Sequence, residues 1–324
     1  MRLTHKPVLC NYYLTYRCNA KCGFCDIWER PSPYVTLEAA AQNLADLRRL
    51  GVRIIDFTGG EPLLHREVGG LLQMAKDLGF ITTLTTNGLL YPKRAEALRG
   101  LVDMLHFSLD AADAHTHDTM RGVACFDKVM ESIAVAKTLG ERPDILFTVL
   151  ANNLDQLEAV YSQICQPNGL VLIINPAFSY NEVGTQLTSE QLQTLHRWGK
   201  RPGVYLNDAF IQLRLDGGNQ TDRPVCLAGS TTVVISPENE LVLPCYHLGL
   251  KSFPIEGRLY SLYQSTEVQQ LIALEGRLPA CQGCVVNCYM QPSFGVKVNR
   301  YFWKALPSTL KYNRLKGTWK QLLG

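Results

Sequence analysis

Apolar and polar positions alternate along the chain in two rhythms, short strand-like runs and longer amphipathic stretches. Val8 to Tyr16 is aromatic-rich (Leu9, Tyr12, Tyr13, Leu14, Tyr16) and predicts a β-strand that opens into a loop. Thr36 then stands as an N-cap ahead of Leu37, Leu44, Leu47 and Leu50, a helix stopped by Gly51. Strand 53–57 ends in Thr58-Gly59-Gly60-Glu61-Pro62 and is followed by a helix over 67–78. Strand 80–85 ends in Thr86-Asn87-Gly88, with a helix over 92–99 behind it. Strand 104–109 ends in Asp110. A helix over 126–139, a strand 145–150, a helix 155–164 and a strand 170–174 closing on Asn175-Pro176 complete the series.

Six β–α alternations with short links predict a parallel sheet with helices outside it. Six repeats rather than eight predict a partial (β/α)6 TIM-like barrel over residues 1–203. In such sheets chemistry gathers at the carboxyl ends of the strands, and every unusual motif so far falls at one. The pattern changes near Pro202. Val204–Leu206 and Phe210–Leu213 read as strands, and Cys226 to Cys245 reads as a hairpin with strands 231–235 and 241–243 and turn chemistry in Pro237-Glu238-Asn239. A small, cysteine-rich β-hairpin/α domain is therefore expected over 204–300, followed by a basic, aromatic tail over 301–324. That tail, with Trp303, Leu310, Trp319, Lys304, Lys311 and Lys320, could lie on an anionic membrane. Packing on its own domain is the commoner use of such a segment, and Pro307 is expected to interrupt a single helix.

Composition narrows the class. With 46% hydrophobic and 19% charged residues the chain is ordinary globular protein. A formal net charge of +3 gives no argument for nucleic acid. The first residues carry no apolar signal segment, and no apolar run approaches the ~18 residues of a membrane span. Eleven cysteines in metal-like spacings then point to a reduced, cytoplasmic metalloprotein rather than a disulfide scaffold. Cys10, Cys125 and Cys165 fall within or beside predicted elements and read as small buried hydrophobes. His106 reads as a core histidine, and His115 and His117 as loop residues.

The chemistry concentrates in Cys18-Asn-Ala-Lys-Cys22-Gly-Phe24-Cys25, three thiols in C-x3-C-x2-C spacing directly after the first strand. Thiolates are the usual ligands of iron–sulfur clusters. Three of them leave one corner of a [4Fe–4S] cube free for a ligand that is not protein, whereas a closed zinc site wants four ligands and no fourth lies nearby. This motif resembles the signature of the radical S-adenosylmethionine (SAM) enzymes. The resemblance implies a cluster whose open iron chelates SAM, and one-electron cleavage to methionine and a 5′-deoxyadenosyl radical that abstracts hydrogen from a substrate. It also implies an electron donor such as a flavodoxin or ferredoxin.

Carried over residue by residue, Gly59, Gly60 and Glu61 resemble the family's GGEP element, which contacts the SAM amino group. Phe24 matches the aromatic whose backbone faces the adenine. Ser108 and Asp110 resemble the strand-end SLD element, and Asn87 and Arg121 are further cofactor-binding candidates, Arg121 as a carboxylate partner from a loop. Downstream, Cys226, Cys245 and the C-x2-C-x3-C knuckle Cys281, Cys284 and Cys288 resemble the Twitch/SPASM extension that holds auxiliary [4Fe–4S] clusters. Five cysteines rather than seven favour one auxiliary cluster on Cys226, Cys245, Cys281 and Cys284, with Cys288 as an alternative ligand and a zinc ribbon as the alternative filling.

The catalytic acid or base is not legible; Tyr180, Glu182 and Asn207 are conceivable substrate contacts. Peptide-modifying relatives often carry a leader-binding domain, and Cys18 lies too early to leave room before it. That favours a small molecule, or a peptide brought by a separate partner as in ribosomal-peptide maturation. A non-catalytic iron–sulfur or zinc electron carrier is the reading from another class.

Overall fold

A computed structural model describes residues 1–178 and 186–317, so Tyr180, Glu182 and the tail beyond Gly317 lie outside the described residues. Ten strands form one sheet in the order β10-β9-β8-β1-β2-β3-β4-β5-β6-β7. They are β1 Leu9–Thr15, β2 Ile54–Gly59, β3 Ile81–Thr86, β4 Met104–Ser108, β5 Asp144–Val149, β6 Leu172–Pro176, β7 Val204–Tyr205, β8 Thr232–Ile235, β9 Glu240–Leu243 and β10 Lys251–Pro254. From β1 to β7 each strand pairs in parallel with the next. This is the partial barrel the alternation predicts, lengthened by the two-residue β7.

The helices between barrel strands are α1 Leu37–Leu50, α2 Val68–Asp77, α3 Tyr91–Leu98, α4 Ala114–Arg121, α5 Phe126–Thr138, α6 Gln156–Ala159, α7 Gln166–Asn168 and α8 Ser189–Trp198. A π-helical stretch, Val160–Cys165, joins α6 to α7. α1 shows the logic. The Thr36 hydroxyl accepts the Ala39 N–H at 3.2 Å, Leu44, Leu47 and Leu50 are buried, and Gly51 closes the helix at φ 98°. Outward-pointing Cys10, Tyr12, Leu14, Ile55, Phe57, Leu84, Phe107, Ile145 and Phe147 meet these helices in the main core.

Beyond the barrel come α9 Asp208–Leu215, α10 Ala228–Thr231, α11 Leu259–Tyr263, α12 Thr266–Ile272, α13 Asn287–Val296 and α14 Arg300–Lys316. Three expectations change here. Phe210–Leu213 is helix, not strand, because Asn207 caps it by accepting the Ala209 N–H at 3.0 Å. Asn207 is buried, and that capping role takes its Oδ1. α14 runs through Pro307 as one helix, anchored at its far end by Tyr312 Oη on Asp144 Oδ2 (2.6 Å) and Lys316 Nζ on Asp144 Oδ1 (3.0 Å). Finally, the sheet does not break after residue 203, since β8 pairs in parallel with β1, Leu9 opposite Thr232. Among the described residues no helix is long and apolar enough to cross a membrane.

Candidate functional site

The loop after β1 carries Cys18, Cys22 and Cys25, all half-buried. It is held from two sides. Lys21 N–H donates to Arg121 O (3.0 Å) and Gly23 N–H to Met120 O (3.3 Å), docking the loop on the end of α4. Gly60 and Glu61 donate their N–H groups to Thr15 O and Arg17 O at 2.9 Å, tying it to the end of β2. The two glycines thus serve the chain's own backbone. A Cβ on Gly59 would sit 2.1 Å from Thr15 O, and one on Gly60 2.3 Å from Arg17 O.

Polar hydrogens converge on the sulfurs. Cys18 Sγ accepts from Ala20 N (3.4 Å) and Asn87 Nδ2 (3.9 Å), while Cys22 Sγ faces Arg121 Nη1 at 3.9 Å. Asn87 Nδ2 also donates to Asn19 Oδ1 at 2.7 Å. Burial, with the neighbouring thiols and acids, pushes Cys18 to about 12 and Cys25 to about 11. Charged ligands here must therefore be compensated by a cation, which three thiolates around a metal cluster are.

Glu61 is a buried hub. Its Oε1 accepts from Leu63 N (3.0 Å) and Thr86 Oγ1 (2.8 Å), and its Oε2 from Asn87 N (2.8 Å). Three of about four lone-pair sites are filled, leaving one. Burial raises it to about 7 against those hydrogen bonds. Ser108 ends β4 and is buried. Asp110 and Arg121 meet each other, Oδ2 to Nη2 at 2.6 Å, and Asp110 Oδ1 accepts Thr148 N–H at 2.8 Å. Arg121 ends α4 rather than lying in a loop, and its guanidinium stands 5.4 Å from the Phe24 ring centre. Its Nε is buried with no hydrogen-bond partner among the described residues, an N–H suited to an anionic group. The donor set fits an iron–sulfur cluster with one open position and a carboxylate-bearing ligand beside it.

The radical SAM superfamily model matches residues 12–164, the span from β1 to the π turn that contains this whole site. Residues 12–164 are a radical SAM domain. Relatives include the AdoMet-dependent heme synthase of Methanosarcina barkeri, 31% identical over 49% of this chain and 47% of that protein. Another is the Sulfurisphaera tokodaii protein named Probable GTP 3′,8-cyclase, 27% identical over 70% of this chain and 78% of that protein. The match thus spans about half the length of the heme synthase. Among solved structures, Streptococcus suis SuiB bound to precursor peptide SuiA superposes with a TM-score of 0.66 at 19% identity, over 83% of this chain and 67% of that one. The structure of anSMEcpe with bound AdoMet and Kp18Cys peptide gives 0.62 at 17%, over 96% and 99%. At these identities the likeness shows a shared fold.

Outside the radical SAM domain, Cys226, Cys245, Cys281 and Cys284 line one cavity of about 360 Å³, together with Phe178, Pro244, His247 and Tyr289. Cys288 does not line it; its Sγ lies 3.6 Å from His247 Nε2. Asn219, fully buried, assembles the cavity. Its Oδ1 accepts from Val225 N and Cys226 N, its Nδ2 donates to Gly276 O and Cys281 O, and its N–H donates to Cys284 O at 2.9 Å. Nothing local in the sequence marks it. No three of these thiols come within 4.8 Å of one another; among the described residues only His117, Asp118 and Cys125 form such a group. That group is a helix cap. Asp118 Oδ1 accepts from Cys125 N and Phe126 N. His117 Nδ1 accepts from Asp110 N at 3.2 Å, which leaves the neutral ring's proton on Nε2.

Proposed function

We propose that this chain is a radical SAM enzyme with a [4Fe–4S] cluster on Cys18, Cys22 and Cys25. When bound, that group and SAM supply one-electron cleavage to methionine and a hydrogen-abstracting 5′-deoxyadenosyl radical, the chemistry the family resemblance implies. The observation that carries the reading is a loop with three half-buried thiols, two of which, Cys18 and Cys22, are faced by polar N–H donors. In this reading Glu61 offers its remaining lone pair to the SAM ammonium, and Gly59 and Gly60 hold Glu61 in place. Arg121 Nε offers an N–H to a carboxylate and Phe24 borders the same space. Asn87 and the Asp110–Arg121 pair orient the ligands, and Ser108 lines the floor. Alternation along β2 and β3 turns Asp56, Thr83 and Thr85 away from the helix-facing Ile55, Phe57 and Leu84. This polar inner wall suits a small polar molecule or a peptide side chain.

The second half of the proposal is one auxiliary [4Fe–4S] cluster on Cys226, Cys245, Cys281 and Cys284. Four thiolates around one zinc stand about 3.8 Å apart, from tetrahedral geometry at 2.3 Å. A cavity of about 360 Å³ lined by all four cysteines suits a cube with one thiolate on each iron corner. Residues 204–300 then act as a Twitch/SPASM-like unit built onto the barrel's own sheet. Anaerobic reconstitution tests both halves. About eight irons per chain, with 5′-deoxyadenosine formed from SAM and dithionite, is the expected result. About four irons plus one zinc refutes the second cluster, and iron without SAM cleavage refutes the enzyme.

A further inference from the structure

Two arginines stand beside the two cysteine sites, and they differ in one respect. Arg121, beside Cys22, is neutralised by Asp110 at 2.6 Å. Arg214, at the end of α9, has no acidic partner among the described residues. Its Nη1 donates to Phe210 O and Asn287 Oδ1, both at 3.2 Å, and its Nη2 to Pro176 O (2.9 Å) and Ala177 O (3.1 Å). All four acceptors are neutral oxygens. The ionisable group whose charge acts on Arg214 is the thiol of Cys284, and burial lowers the guanidinium to about 10, so it remains a cation near neutral pH.

The position is a junction. Pro176 ends the last long barrel strand and Ala177 follows it. Asn287 opens α13 three residues after Cys284, and its Nδ2 returns to Asn175 Oδ1 and Pro176 O, each at 2.7 Å. The guanidinium is therefore held between the barrel rim, through Pro176 O and Ala177 O, and the cysteine knuckle, through Asn287 Oδ1. A buried cation without a counter-charge is costly to hold. Four thiolates around a [4Fe–4S] core carry a net negative charge that would balance it.

We propose that Arg214 is the counter-cation of the four-cysteine site and sets the reduction potential of the cluster held there. The inference rests on the auxiliary-cluster reading above. Reduction adds one negative charge, so a fixed neighbouring cation favours the reduced state and raises the potential. At the N-terminal site the corresponding arginine, Arg121, is paired with Asp110 at 2.6 Å, so it biases the group held there less.

The test is an anaerobic redox titration, followed by electron paramagnetic resonance, of the reconstituted full chain and its Arg214→Gln and Arg214→Lys variants. Arg214→Gln should make reduction of the C-terminal cluster at least about tenfold less favourable, a shift of 59 mV to lower potential for one electron. The N-terminal signal should stay in place, and Arg214→Lys should stay close to the parent. If Arg214→Gln loses the C-terminal iron while Arg214→Lys keeps it, the counter-cation role is equally supported. An unmoved potential in Arg214→Gln, or an equal shift or equal iron loss in both variants, overturns the proposal. Zinc at the C-terminal site of the parent overturns the underlying reading and this inference with it; iron with an unmoved potential overturns this inference alone.

Discussion

Replacing Asp110 with Asn changes little in shape and removes one charge from the most buried ion pair in the radical SAM domain. Asp110 is 0% exposed and the Arg121 side chain 8%, with 2.6 Å between them. Breaking such a pair strands the remaining charge, which costs about 3–5 kcal/mol. Asp110→Asn should therefore lose about that much, because the new amide cannot both accept Thr148 N–H and neutralise Arg121. Arg121→Gln should lose a similar amount by stranding the carboxylate. The double variant strands neither group, so its loss should fall short of the sum by at least about 2 kcal/mol. Urea denaturation of the cluster-free chain measures all three. Iron content separates structure from ligand support: Arg121→Gln also removes the donor to Cys22 Sγ and should retain less iron than Asp110→Asn. If the two single losses add to within about 0.5 kcal/mol, the pair is uncoupled and the reasoning is refuted.

Three further outcomes follow from the same geometry. Burial lowers His106 to about 4, against the pull of Asp144. The unfolded chain then binds the extra proton between about 6.5 and 4, and stability falls as pH drops through that window. The loss is about 2 kcal/mol from pH 7 to pH 5 and should vanish in His106→Gln; equal pH slopes in the two proteins refute it. Gly60→Ala drives a Cβ into the carbonyls of Tyr16 and Arg17 at 2.4 and 2.3 Å, so N-terminal iron and SAM cleavage should be lost together while the C-terminal site still loads. Cys281→Ser should lose C-terminal iron and Cys288→Ser should keep it, since only Cys281 lines the cavity; the opposite pattern on iron and sulfide analysis reverses the ligand assignment.

The strand ends were legible because each barrel strand announces itself twice, by its apolar run and by the glycine or polar break after it. What sequence could not supply were partners distant in the chain. Asp110 reads as a cap or loop acid until α4 returns Arg121 to it. Asn219 looks like an ordinary loop residue until the knuckle closes around it. Two local signals were present and under-read. Asn207-Asp208 is a helix start that outranks the ambiguous apolar run after it, and Thr188 with Gln191 is a capping box that marks α8, both halves of which form. Gly59 and Gly60 resemble a ligand-contacting element in the sequence, and what the fold adds is the close approach of the chain to itself that they permit.

The position of β1 explains how the two cysteine sites can belong to one device. It pairs with β2 on one side and β8 on the other, so the first thiols and the hairpin before Cys245 hang from adjacent strands. Tyr246, next to Cys245, stacks on Tyr13 of β1 with 4.3 Å between ring centres. It also packs 5.6 Å from Tyr16, which leads into the Cys18 loop. Its N–H donates to Tyr289 Oη at 2.9 Å, beside Cys288. These aromatics are buried and close-packed, with no linker between the sites to absorb motion. The separation of the two sites is thus set by a rigid sheet and an aromatic stack, and Arg214 fixes the far side of the same wedge against β6. Were clusters held at both sites, the direction of electron passage between them would depend on the local charges, among the described residues the Asp110–Arg121 pair on one side and Arg214 on the other.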